Sequence, residues 1–143
     1  MTGTVGDTYV AALQHGLADL DGDETLVGVV REPTGWFHAT VDENVPDLGP
    51  PADLLAETKR VTAEFKRGGM CDEGAHNAAW EETEFAERYR TYLDTEDAPR
   101  AALTDLRERL AAEESLVLVC FEGPSKRCHR SILRERLSGE DGE

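Results

Sequence analysis

The side chains best suited to chemistry gather near the C-terminus: Cys120, Glu122, Cys128, His129 and Arg130. Leu116 to Phe121 is a continuous apolar run and reads as a buried strand, which places Cys120 and Glu122 at its carboxyl end. From Cys128 onward the spacing of Ile132, Leu133 and Leu137 predicts a terminal helix. A thiol at a helix N-terminus beside His129 and Arg130 sits in the electrostatic setting that favours a nucleophilic thiolate. The same helix start offers unpaired N–H groups and a positive dipole end to an anion. Lys126, Arg127, Arg130, Arg134 and Arg136 outnumber Glu122 and Glu135 in this segment, although the chain is acidic nearly everywhere else. That local reversal of sign points to an anionic ligand. Arg130 is the better candidate to hold it, because Arg134 and Arg136 read equally well as partners of the acidic surface.

Either Cys128 or Cys120 is the candidate nucleophile, and inert core is the lesser alternative for Cys120, which ends a buried strand. His129 is a base or hydrogen-bond partner. Glu122 is a general acid or base, a partner that orients Arg31 or Arg130, or a helix-start anion. The chemical rival is a metal held by Cys120, Cys128 and His129, with Cys71 and His76 completing the set. The gap between Cys120 and Cys128 lacks the close ligand pairs of common zinc ribbons. Three functions therefore compete. The leading one is an enzyme whose thiolate acts on an anionic or nucleotide-like small molecule held by Arg31, Arg130, Lys126 and Arg127. The others are a metalloprotein and a non-catalytic binding module with structural cysteines. The sequence assigns no cofactor.

The elements that must position these residues follow from patterning. Thr2 to Val5 reads as a short strand, and Val10, Leu13, Leu17 and Leu20 recur at helical spacing up to Asp21-Gly22-Asp23. Leu26 to Val30 suits a strand buried on both faces, with Arg31 and Glu32 at its carboxyl end. Trp36 to Val41 fits a strand or a loop, and Trp36 and Phe37 are candidate cleft walls. A loop from Asp42 leads to Pro51, which opens a helix carrying Leu54, Leu55, Val61 and Phe65 and stopping at Gly68-Gly69. Met70 to Ala79 reads as a connecting loop. Two amphipathic helices follow, one with Phe85, Tyr89, Tyr92 and Leu93, the next with Leu103, Leu106 and Leu110 after Asp97 and Pro99. Alternating strands and helices predict a small, mostly parallel α/β sheet with helices on both faces, one domain over residues 1–138 with a frayed tail at 139–143. Ligands of such sheets gather beyond the carboxyl ends of the strands.

Composition narrows the class. The chain has 143 residues, 39% of them hydrophobic, enough for one ordinary domain with a real core. No stretch approaches the roughly twenty apolar residues of a membrane span, and the N-terminus lacks a signal pattern, so a cytoplasmic protein with no membrane partner is expected. The formal net charge is −15, from 30 acidic and 15 basic residues, with Lys only at positions 59, 66 and 126. Such a surface suits a salt-rich cytoplasm and disfavours general binding to nucleic acid backbones. Cys71, Cys120 and Cys128 are too few for a disulfide framework and are expected to be reduced.

At Cys120-Phe121-Glu122 and Cys128-His129-Arg130 the chain resembles the domain-of-unknown-function 488 family. Supporting matches are Thr4-Val5-Gly6, Val30-Arg31, the run Leu48 to Leu55, and Trp80 with Phe85, Arg88, Tyr89 and Arg90. The resemblance implies a compact α/β fold and a shared site at Arg31, Cys120, Glu122, Cys128, His129 and Arg130. The acidic, Lys-poor composition is similar to that of members from salt-loving archaea. Val30 stands where many members carry Asp, so no carboxylate role carries over to it, and the loop with Cys71, Asp72, Glu73 and His76 is particular to a subgroup.

Overall fold

The computed structural model describes residues 3–14, 16, 23–33, 35–121 and 127–138, with the backbone alone at Trp36. Among these residues four strands form one parallel sheet: β1 (Val5–Tyr9), β2 (Thr25–Gly28), β3 (Glu43–Asn44) and β4 (Leu116–Cys120). Their order is β1-β4-β2-β3, so the strand latest in sequence lies inside the sheet between two of the earliest. Val5 is in register with Leu116 and Tyr9 with Cys120, while Thr25 to Gly28 run beside Leu116 to Val119.

Five apolar residues in succession make β4 a strand buried on both faces, and its side chains alternate between two cores. Leu116, Leu118 and Cys120 point into the larger core, together with Val27 and Val29. Val117 and Val119 point into the smaller one with Val10, Phe37 and Val41. The smaller core is roofed by α1 (Val10–Gln14) and α2 (Gly35–Thr40). Gly28 is needed there, because a Cβ would come within 2.5 Å of the Phe37 ring.

The larger core is covered by α3 (Ala52–Arg67), α4 (Asp72–Glu82), α5 (Phe85–Thr95), α6 (Asp97–Ala111) and α7 (His129–Ser138). Pro51 caps α3 with its φ of −57°, Asp53 lies in the first turn and Lys66 and Arg67 in the last, charges placed to suit the helix dipole. Gly68 ends it.

Several segments depart from expectation. Strand β1 starts and ends later than Thr2 to Val5, since Thr8 and Tyr9 favour extended backbone and extend the pairing with β4 to its last residue. Trp36 to Val41 is neither strand nor loop but lies mostly in α2, with Phe37 inside the helix and Val41 just past its end both buried in the smaller core. Phe37 is wholly buried in the smaller core and is no cleft wall. The Trp36 side chain lies outside the described residues. Met70 to Ala79 is mostly α4 instead of a loop. Cys71 caps that helix, its sulfur accepting from the Gly74 N–H at 3.3 Å. Leu17, Leu20 and the tail at 139–143 lie outside the described residues.

Candidate active site

The carboxyl ends of β4 and β2 and the start of α7 meet at one place, the larger-core side of the sheet. Cys120, Cys128 and His129 all line a cavity of about 560 Å³ there, walled by α3 and by Trp80 and Phe85. Cys120 is 1% exposed, Cys128 7% and His129 8%, so the chemistry-bearing groups form a buried floor.

His129 is fixed by two neighbours. Its Nε2 lies 2.6 Å from the carbonyl oxygen of Val29, just past the end of β2. A carbonyl only accepts, so Nε2 carries the proton and donates to it. In the neutral ring Nδ1 is then a bare acceptor, and it faces Cys128 Sγ at 3.6 Å. The edge of the ring packs against Tyr89 at 5.4 Å between centroids, and the Tyr89 hydroxyl donates to the Leu48 carbonyl. Adjacent residues at the start of a helix thus form a thiol–imidazole couple, which adjacency in sequence does not guarantee.

Cys120 has a different environment. Arg130 Nη1 donates to its sulfur at 2.7 Å. Burial nonetheless holds the thiol well above its ordinary pKa, helped by its hydrogen bond with Cys128 and by the charge of a Cys128 thiolate; His129 and Arg130 pull the other way and lose. The Cys128 charge also raises Tyr89, whose own burial is the larger cause. Cys120 is therefore held protonated.

Arg130 is 7% exposed and lies behind the cavity, not in its wall. Its Nε donates to Asp7 Oδ2 at 3.0 Å, and the guanidinium stacks over Tyr9 at 5.8 Å. Burial works against its charge, but the thiols and Asp7 outweigh this and raise its pKa. Arg134 also reaches Asp7 and Arg136 reaches Asp94, as expected of surface-pairing residues. Arg31 lines the cavity, yet its guanidinium is committed to the Gly49–Pro50 backbone and to Tyr92. Nε donates to the Pro50 carbonyl at 2.5 Å, and Nη2 to the Gly49 carbonyl at 3.1 Å and the Tyr92 hydroxyl at 2.6 Å. Gly49 has to be glycine for that latch, since a Cβ would meet the Arg31 backbone nitrogen at 2.4 Å.

Arg127 is exposed at the cavity rim and pairs with Glu81 at 3.0 Å, while its carbonyl accepts from His76 Nε2 at 2.8 Å. Cys71 stays exposed at the start of α4. Among the described residues no three His, Cys, Asp or Glu side chains gather to hold a metal. Glu122 and Lys126 lie outside the described residues.

Reasoning from sequence missed Asp7, Tyr89, the Val29 carbonyl and the α3 residues Lys59, Lys66 and Arg67, which also line the cavity. The two lysines carried a signal, being two of only three in the chain.

A parallel α/β domain with a cysteine–histidine couple at its strand ends is the class that fold and site define together. The family model described as the active DUF488-N3 subclade matches residues 9–141, and the chain belongs to that family. No curated protein and no solved structure matches the chain.

Proposed function

We propose that the protein is a small enzyme in which Cys128 is the nucleophile and His129 its base, acting on an anionic or nucleotide-like small molecule in the strand-end cavity. The observation that carries this reading is the fixed tautomer of His129: Val29 holds Nε2–H, leaving Nδ1 to take the Cys128 proton. After transfer the imidazolium donates from both nitrogens, to the thiolate and to Val29. When the sulfur attacks an electrophilic centre, the same Nδ1–H supplies the proton to the leaving group. Cys120 keeps its proton, and Arg130 and Asp7 act behind it as positioning residues. The description of the subclade as active is in keeping with this reading.

The test is the iodoacetamide labelling rate of each cysteine against pH, resolved by peptide mass, in high salt with and without chelator. Cys128 labels with an inflection below the ordinary thiol value of about 8.5, chelator changes nothing, and Cys120 stays slow. His129→Gln, which can still reach Val29 but offers no base, slows Cys128 at neutral pH by about tenfold or more. Labelling that appears only after chelation assigns the cysteines to a metal, and slow labelling of both buried cysteines throughout refutes the thiolate.

A further inference from the structure

The cavity has two chemically distinct zones. Its floor is buried and, apart from the thiols and His129, largely apolar, with Trp80 and Phe85 stacked at 4.2 Å and Leu55 beside them. Its mouth is cationic. Lys59, Lys66 and Arg67 project from α3, Arg127 from the segment before α7, and among the described lining residues the one carboxylate is Glu32. This occurs in a chain with a net charge of −15. Concentrating cations at the mouth of a low-dielectric pocket focuses positive potential there and draws in anions that the rest of the surface repels.

Among the described residues two of these cations are uncommitted. Lys66 pairs with Asp72 and Arg127 with Glu81, but Lys59 and Arg67 have no ion-pair partner among the described residues, despite the twofold excess of acids. They stand at i and i+8 on one face of α3, about 12 Å apart along its axis, with Ala63 between them. The small Ala63 side chain leaves an opening over which the two long side chains can converge.

We infer that the cavity selects amphipathic anions: a flat apolar or aromatic body lies on Leu55, Trp80 and Phe85, and a phosphate or carboxylate sits at the mouth between Lys59 and Arg67. The anion is held by α3, not by Arg31 and Arg130, whose guanidinium groups serve the protein's own carbonyls, carboxylate and thiol. The binding mode stands on the cavity alone; only its orientation, with the reacting atom toward Cys128, rests on the proposed function.

Calorimetric titration of the full chain with 1-naphthyl phosphate, inorganic phosphate and 1-naphthol tests it, at the lowest salt that keeps the fold. Naphthyl phosphate binds at least about tenfold more tightly than either half alone, because each half reaches only one zone. The double variant Lys59→Gln, Arg67→Gln removes two exposed side chains and folds normally by circular dichroism. It loses about tenfold or more for naphthyl phosphate and leaves naphthol unchanged. Equal binding of naphthol and naphthyl phosphate, or an unaltered double variant, overturns the inference. Calorimetry needs no reactive thiol, so slow Cys128 labelling with intact naphthyl phosphate binding refutes the enzyme and spares the binding mode.

Discussion

Arg31→Met separates a latch from a ligand-binding arginine. The substitution keeps an apolar stem of similar length and removes every donor. The carbonyls of Gly49 and Pro50, both buried, then lose their side-chain donor, and the Tyr92 hydroxyl keeps only its bond to the Asp47 carbonyl. An orphaned buried carbonyl costs about 1–3 kcal/mol, so two cost about 2–6 kcal/mol. Water from the cavity reaches the Arg31 side and relieves part of this, leaving about 2–4 kcal/mol. With an m-value of about 2 kcal/mol per molar urea, the unfolding midpoint falls by about 1–2 M at unchanged slope. Fluorescence-monitored urea titration in high salt measures it. A midpoint shift below roughly 0.3 M, together with loss of naphthyl phosphate binding, would refute the latch and return Arg31 to the ligand.

Two further outcomes follow from the ion pairs. Asp7→Ala leaves the buried Arg130 guanidinium without its carboxylate and lowers stability by about 2–4 kcal/mol in urea titration; a loss under about 1 kcal/mol would mean that the Cys120 contact suffices. Glu114 accepts from Arg109 and Thr25, which hold its carboxyl down to about 2 from an ordinary 4.5. Its folded value is depressed, so its contribution is complete above about pH 4.5 and drains away as the pH falls toward 2. Glu114→Gln should therefore flatten the acid limb of stability in that window, and an unchanged limb would show that the pairing adds nothing.

How much was legible in the sequence depended on where each signal was stored. The strand at Leu116 was plain because continuous apolar residues admit few alternatives, and α3, α5 and α6 because their large apolar residues recur at helical spacing. Helix α4 hid because two of its three buried residues are Ala75 and Ala79, which register weakly in any hydrophobic pattern. The Trp36 to Val41 segment was ambiguous because six residues are too short to separate period two from period 3.6. At the site, Cys120, Cys128 and His129 were legible because neighbouring elements carry them. Asp7, Tyr89 and the Val29 carbonyl enter from far along the chain, and a carbonyl has no sequence signature at all. Arg31 and Arg130 were singled out as holders of an anion, but charge alone does not say whether an arginine faces a ligand or its own fold.

The position of β4 between β1 and β2 also sets an order of events during synthesis. The first two strands do not pair with each other; each hydrogen-bonds to a partner made about a hundred residues after it. Until Leu116 to Cys120 emerge from the ribosome the only strand pairing open to the described residues is the short β2–β3 ladder, and the apolar faces of α3, α5 and α6 have no central strand to pack on. Large loops must close in one late step, a topology that folds slowly and leaves the nascent chain open to association. The many carboxylates then serve a second purpose, since mutual repulsion keeps unfinished chains apart while they wait for their central strand.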